Sequence, residues 1–482
     1  MADVVLVHPI AGESLYSTKS FMPLELIKLS TLVDSEYKVK IIDQRINRNW
    51  AYELRSELKK NPICVGITAM TGLQIKYGLK ASEIVKQCSD VPVVWGGIHA
   101  SLLPKQTLED WRVDVVVKGE GEETFYELVN RLDKGSSLNG IRGVWYKNNG
   151  KIVANPDRPF LDLNKLPVPP YHLVNLHEYV KILELTTASM ETSRGCPYRC
   201  TYCYNPAYNK GKYRELEAKN VLEQIKILYE EFGIEHIYFV DDNFYTNKKR
   251  VNDILRGILH EGYDIKFSNQ GIRADNLNNL TNNELCLLEK AGSIGMVIGA
   301  ESGSQRILDM LNKKITVEQL LAVNRKLKRT NLLAWYNFMV GYPQETEYDI
   351  QQTVNLMLRL IEDNKNAIIT NVFCYSPYPG TQLYNLSVEH GFRPPDTLEG
   401  WSSFNWTNAE LPWIPADRKK RLEAMNFCSL FLGKKESSSS LFYNLLIKLY
   451  KPVAKFRVKH SFFRFMVEKP IKEFICGDFR KW

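Results

Sequence analysis

The chain has 482 residues, 44% of them hydrophobic and 24% charged, with 63 Lys and Arg against 55 Asp and Glu. That length exceeds one ordinary core, and that apolar content excludes a disordered or collagenous chain. No apolar run reaches the roughly 18 residues of a membrane-spanning helix, and Met1–His8 reads as a strand rather than a signal peptide.

Residues 1–154 alternate β-branched runs (Val4–His8, Val39–Asp43, Val65–Thr68, Val91–Trp95, Val113–Val117) with amphipathic stretches (Leu24–Leu32, Ala51–Lys60, Gln74–Gln87, Glu122–Leu132). Near-continuous apolar strands alternating with helices predict a parallel sheet covered on both faces, a doubly wound α/β domain. Ile141–Tyr146 and Lys151–Ala154, joined by Asn148-Asn149-Gly150, read as an appended hairpin. Residues 155–180 hold Pro156, Pro159, Pro167, Pro169 and Pro170 and are expected to be a linker.

From 181 to 390 a second alternation places strands at Ala188–Ser193, His236–Val240, Ile265–Asn269, Met296–Gly299, Leu333–Met339 and Ile369–Cys374, with helices between them. Six βα units predict a partial (β/α)6 barrel, whose chemistry belongs at the carboxyl ends of its strands. Residues 391–482 are expected to form a helical, basic and aromatic C-terminal region. Twelve basic and four acidic residues lie from Lys434 onward, so this tail carries the whole net charge of +8 and the rest of the chain is neutral. A charge confined to the tail argues against a nucleic-acid partner with a broad basic face. Leu441, Phe442, Leu445, Leu446 and Leu449 share one helical face, followed by Phe456, Phe462, Phe463, Phe465 and Met466 among cations. This pattern suits either a lid over the barrel or peripheral contact of 434–482 with the inner face of a membrane.

The end of the first barrel strand carries Cys196, Cys200 and Cys203 in the pattern C-x-x-x-C-x-x-C, with no fourth cysteine nearby. Structural zinc takes four closed ligands. Three thiolates on one tight loop suit a [4Fe–4S] cluster with one iron left open. In a cytoplasmic protein the nine cysteines are otherwise core residues rather than disulfides.

Here the sequence resembles the radical S-adenosylmethionine (SAM) superfamily. That resemblance implies that the open iron binds SAM and that reductive cleavage gives a 5′-deoxyadenosyl radical. It implies SAM contacts at Tyr202 (toward adenine), at Asp241 and Asp242 after the second barrel strand, and at Glu301 and Ser302 after the fourth. Gly341–Thr346 and Ser376–Thr381 resemble family loops after the fifth and sixth strands. Singly, each of these could be a helix cap or a turn.

The first domain resembles the cobalamin-binding domain of one branch of that superfamily. The resemblance rests on Val65–Gly72, Gly96–Ser101 and Lys118–Phe125, and it implies cofactor contacts at Gly66, Thr68, Gly96, Gly97 and Gly119. These stretches follow strands of a doubly wound sheet, where ligands bind outside the carboxyl edge. One departure stands out: families that ligate cobalt from below use Asp-x-His-x-x-Gly, and here Asp43-Gln44-Arg45 puts arginine where the histidine would be.

The resemblance therefore implies a cobalamin-dependent radical SAM enzyme that methylates an unactivated carbon of a bulky apolar small molecule or lipid, reduced by a flavodoxin- or ferredoxin-like donor. The alternative is cyclisation, ring rearrangement or oxidative cyclase chemistry on a lipid or tetrapyrrole. A methylthiotransferase would need three further cysteines in the first domain, where only Cys64 and Cys88 lie. An electron carrier would want a fourth thiolate.

Overall fold

The computed structural model describes residues 2–12, 20–404, 410–433 and 441–463. Of the tail, 434–440 and 464–482, with Phe465 and Met466, lie outside the described residues. The chain divides into two compact units: 1–180 with 378–380 and 393–409, and 181–377 with 381–392 and 410–482.

In the first unit the order is β1 (Val4–His8), α1 (Leu24–Leu29), β2 (Val39–Asp43), α2 (Trp50–Leu58), β3 (Cys64–Thr68), α3 (Leu73–Cys88), β4 (Val93–Gly96), α4 (Gly97–Leu102), α5 (Pro104–Glu109), β5 (Val115–Val117), α6 (Glu122–Asp133), β6 (Val144–Asn148) and β7 (Lys151–Ala154). The sheet runs β2-β1-β3-β4-β5-β6-β7; the first five strands are parallel and the last two antiparallel. The strand order therefore reverses between β1 and β3, the crevice where open α/β sheets take ligands. The β1 and β3 strands are buried along their whole length, as β-branched runs covered on both faces must be. Asn149 and Gly150, at φ +49° and +75°, make the hairpin turn that the Asn-Gly pair predicts.

Gly66 lies inside β3, as the predicted strand Val65–Thr68 has it: a Cβ there would stand 2.6 Å from Leu6 Cδ2 and 3.6 Å from Phe125, so its lack of a side chain makes room for both. Gly96 ends β4 and Gly97 starts the short helix α4. Residues 393–409, placed by sequence in the C-terminal region, join the first unit. There Trp401 Nε1 donates to Gln106 Oε1 at 2.8 Å, and Arg112 donates to Glu399 at 2.9 Å.

The second unit contains β8 (Lys181–Ile182), β9 (Leu185–Met190), β10 (Ser193–Arg194), α7 (Asn205–Tyr208), β11 (Arg214–Glu215), α8 (Ala218–Glu230), β12 (His236–Phe239), α9 (Lys248–Glu261), β13 (Lys266–Ile272), α10 (Ala274–Asn278), α11 (Asn282–Lys290), β14 (Ser293–Glu301), α12 (Gln305–Met310), α13 (Val317–Leu327), β15 (Leu333–Val340), α14 (Glu347–Asp363), β16 (Ala367–Cys374), α15 (Gln382–Glu389), α16 (Ala416–Ser429) and α17 (Leu441–Lys459). Six parallel strands pair in sequence order, β9-β12-β13-β14-β15-β16, with β8 antiparallel on β9. Pairing of each strand with its predecessor makes an open barrel rather than a doubly wound sheet.

One side of these strands, including Ile237, Phe239, Phe267, Met296, Tyr336 and Phe338, is fully buried. On the other side Tyr238, Val297, Trp335, Asn337, Asn371 and Phe373 are only half-buried, the pattern of a lumen lined by aromatic and amide groups. The free edge of β16 is covered: Asn426 of α16 accepts from the Val372 N–H at 3.1 Å, and Ile368 bridges Gly433. The α17 helix turns Tyr450, Ala454, Arg457 and Val458 inward and leaves Leu445, Leu449, Val453 and Phe456 exposed. No described helix is long and apolar enough to cross a membrane.

Candidate functional site

The cysteine loop leaves β10 through Gly195 at φ +82°, where a Cβ would come within 2.0 Å of Lys212 O. Only glycine fits that turn. The Gly195 N–H donates to Asp242 Oδ2 at 2.9 Å, and the Cys196 N–H donates to Asn205 Oδ1 at 3.1 Å. Thr201 N–H donates to Leu311 O at 3.0 Å, and Leu383 N–H donates to Thr201 O at 2.8 Å. The loop carrying all three thiols is therefore tied to the segment after β12, to α7, to the C-terminal end of α12 and to α15.

Both aspartates are engaged in this bracing. Asp241, fully buried, accepts from Thr192 Oγ1 at 2.7 Å and from Ser193 Oγ; burial pushes its carboxyl up, opposed by Arg250 and these hydroxyls. Asp242 accepts from Tyr204 OH at 2.9 Å as well as from Gly195. Ser302 likewise is buried and shares a hydrogen bond with Thr353 Oγ1 at 3.1 Å while accepting from the Ser304 N–H. Asp241, Asp242 and Ser302 thus each have hydrogen-bond partners within the loops at this barrel end.

Tyr202 and Glu301 meet, and sequence reasoning missed their third member, Lys313. Tyr202 OH donates to Glu301 Oε1 at 2.8 Å; Lys313 Nζ donates to the same oxygen at 2.7 Å and to Tyr202 OH at 3.1 Å. Burial pushes the Lys313 ammonium down, the charges of Glu301 and Cys200 push it back, and the net shift is upward, so it stays charged. Burial, with the Glu301 carboxylate second, holds Tyr202 well above the usual phenol range, so it stays a donor. Glu301 sits at φ +62°, a strained conformation for a non-glycine residue, held by this pair. Tyr202 also packs against the buried cluster of Ile307, Leu311, Tyr342, Tyr375 and Leu383.

Arg273 at the end of β13 was also missed. Its guanidinium donates to Cys200 Sγ at 3.7 Å and lies 3.4 Å from the Tyr198 ring centroid. Burial pushes the Cys203 thiol up to about 12 and Cys196 upward too. Thiols so placed need a strong cationic partner to become thiolates, which iron supplies. Among the described residues no three His, Cys, Asp or Glu side chains converge as a single-ion site; in a cubane each thiolate meets a different iron. The three cysteines, with Asn205 N–H on Cys203 Sγ at 3.5 Å and Arg273 on Cys200, fit a [4Fe–4S] cluster.

At the carboxyl edge of the first unit, Thr68 ends β3 and its Oγ1 would lie 3.0 Å from a Cβ on Gly97, which has φ +89°. Gly119, at φ +83°, faces open space, with nothing within 4 Å of a Cβ, and Gly96 has only Val117 O at 3.7 Å. A large flat ligand at this edge would meet backbone. Arg45 folds back onto Asp43, donating from Nε at 2.9 Å and from Nη2 at 2.6 Å, so the loop after β2 offers no imidazole. The buried His99 pairs through Nδ1 with Thr71 Oγ1 at 2.9 Å, and its Nε2 has no partner. The glycine edge and this unmatched nitrogen fit a cobalamin.

Burial pushes His99 down to about 4. Between that value and its ordinary one the unfolded chain binds the extra proton, so stability rises with pH. The contribution is complete above about 6.5 and fades toward pH 4, a loss on the order of 3 kcal/mol. His99→Gln is expected to reduce the difference between urea midpoints at pH 7 and pH 4.5 by that share. Buried His236, pushed down to about 3, supplies a further slope of the same sign.

Residues 190–357 match the model of the radical SAM superfamily, and residues 28–129 match that of the B12 binding domain. The chain is 34% identical over 370 residues to an uncharacterized methyltransferase of Pyrococcus horikoshii, covering 76% of this chain and 78% of that one. It is 27% identical to the anaerobic magnesium-protoporphyrin IX monomethyl ester cyclase of Rubrivivax gelatinosus, over 67% of this chain and 58% of the cyclase. Among solved structures, the cobalamin-dependent SAM radical enzyme OxsB with aqua-cobalamin and SAM bound superposes with a TM-score of 0.72 at 20% identity, covering 99% of this chain and 75% of that one. The radical SAM methyltransferase TsrM from Kitasatospora setae gives 0.66 at 20% identity, over 82% and 80%. These two likenesses concern the fold.

Proposed function

Because the chain belongs to the radical SAM superfamily, in the branch with a B12-binding domain, we propose that it is a methyltransferase acting on an unactivated carbon. Its cofactors are a [4Fe–4S] cluster, SAM and cobalamin. Together these supply reductive radical formation from SAM and a transferable methyl group. The observation that carries the reading is the three-cysteine loop, whose open iron would take the amino and carboxylate groups of SAM, with the buried Tyr202–Glu301–Lys313 group beside it at the same barrel end. In this reading Asp241, Asp242 and Ser302 hold the loops in place, and Thr68, Gly96, Gly97 and Gly119 line the cobalamin edge. The aromatic and amide lining of Tyr238, Trp335, Asn337, Asn371 and Phe373 supports a bulky substrate, small molecule or lipid, shielded from water. The electron comes from a flavodoxin- or ferredoxin-like protein, which suits a cytoplasmic setting.

The test is anaerobic incubation of reconstituted protein with a reductant, methyl-labelled SAM and a cell extract. Methyl transfer requires 5′-deoxyadenosine, S-adenosylhomocysteine and a labelled product together. The likeness to the cyclase supports a second reading, cyclisation or ring rearrangement on a lipid or tetrapyrrole, which would give deoxyadenosine without S-adenosylhomocysteine or label.

The exposed row Leu445, Leu449, Val453 and Phe456, flanked by exposed Lys448 and Lys459, supports peripheral contact with an anionic membrane. Each such cation adds about 1 kcal/mol near the surface, screened by salt. The full chain is expected to pellet with phosphatidylserine-containing vesicles at low salt and to be released at high salt. Leu449→Glu with Phe456→Glu should abolish pelleting, and pelleting of that variant would refute the contact.

A further inference from the structure

We infer that Arg273 is a positioning residue that sets the reduction potential of the cluster through its charged hydrogen bond to Cys200 Sγ. The inference rests on the cluster reading and deepens it. Arg273 is 5% exposed and every side of its guanidinium is fixed. Nε donates to Asp275 Oδ1 at 3.0 Å and Nη2 to Asp275 Oδ2 at 3.0 Å, while Nη2 also reaches Lys313 O at 2.5 Å. The plane lies on the Tyr198 ring. What remains is Nη1, directed at the sulfur from 3.7 Å.

An arginine cannot shed its proton at any working pH, and its planar fork makes the four contacts together. Its partner Asp275 is bonded on the edge formed by Nε and Nη2, so the pair presents its positive end to the sulfur. The other cation close by, Lys313, is spent on Glu301 at 2.7 Å.

Reduction adds one electron to the cluster and its ligand sulfurs. A fixed positive charge and a donor at a ligand sulfur stabilise the more negative, reduced form. Hydrogen bonds to the sulfurs are among the factors that set the potentials of such clusters. Arg273 therefore holds the midpoint up, within reach of a physiological donor, before SAM is cleaved. Removing the charge lowers the midpoint; removing the counter-charge on Asp275 raises it.

The experiment is an EPR-monitored redox titration of reconstituted full-length protein, with iron measured on each sample. Arg273→Gln should keep about four irons per chain and lose at least tenfold in the reduced-to-oxidised ratio at fixed potential, which is about 59 mV for a one-electron couple. Arg273→Lys should fall between it and the parent. Asp275→Asn is a milder change that leaves Arg273 in place, and it should shift the midpoint upward. Opposite signs for the two variants cannot come from a loosened loop. Equal midpoints in all variants, or shifts of one sign for Arg273→Gln and Asp275→Asn, would overturn the inference. If Arg273→Gln fails to hold iron, the sign of the Asp275→Asn shift decides. Parent protein that takes up no iron would refute the cluster reading itself, an outcome separate from any shift in midpoint.

Discussion

Cys200→Ala is expected to lose the cluster and to take 5′-deoxyadenosine formation to background, while its melting temperature stays near that of the parent. Cys200 is the most enclosed of the three thiols, at 8% exposure, and the one that Arg273 meets. The other described cysteines, Cys64, Cys88, Cys286, Cys374 and Cys428, lie on other elements and cannot replace it. The backbone around position 200 is tied by groups the substitution leaves alone: Thr201 to Leu311 and Leu383, and Arg199 O, which accepts from Asn312 Nδ2 at 2.8 Å. The variant therefore separates chemistry from folding. Iron analysis, chromatography of the SAM products and a thermal melt check it, and retained cleavage would refute the assignment.

Lys313→Met is expected to destabilise the second unit by about 3–5 kcal/mol, because it leaves a buried carboxylate without its cation. Glu301 sits at φ +62° and has Gly299 beneath it, where a Cβ would stand 2.5 Å from Glu301 Oε1. The carboxylate is buried, with Glu301 only 7% exposed. Its remaining partner would be Tyr202 OH alone. Glu301→Gln with Lys313→Met should recover much of the loss, since two neutral groups replace the pair. Urea midpoints of the parent, Lys313→Met and the double variant measure this. A double variant no more stable than Lys313→Met would show that the pair is not coupled. Both variants are also expected to lose SAM binding, read by equilibrium dialysis.

The parts of this molecule visible in its sequence are those written locally. A cysteine loop within eight residues, β-branched strands and amphipathic helices each announce themselves over a short window, and the six barrel strands fall within a few residues of their predicted positions. Arg273 and Lys313 stayed hidden because each reads as an ordinary surface cation; only the return of strands three and four to one barrel end brings them to residues 73 and 111 positions away. Asp241 and Asp242 were legible as polar groups at a strand end, but not as braces, because Thr192, Ser193 and Gly195 come from a different strand. Gly66 was legible as a strand residue, but not its close approach to Leu6 and Phe125, which come from other elements. Residues 393–409 have too little periodicity for their partners Gln106 and Arg112 to be foreseen.

The bracing of the cysteine loop has a consequence for how the enzyme survives air. In a zinc finger the metal supplies the folding energy, and its loss is the loss of the fold. Here Gly195, Cys196 and Thr201 are held through their backbones by Asp242, Asn205 and Leu311, bonds that do not pass through iron. A protein stripped of its cluster by oxygen is therefore expected to keep this loop's backbone bonds and to take the cluster up again when iron and sulfide are returned anaerobically.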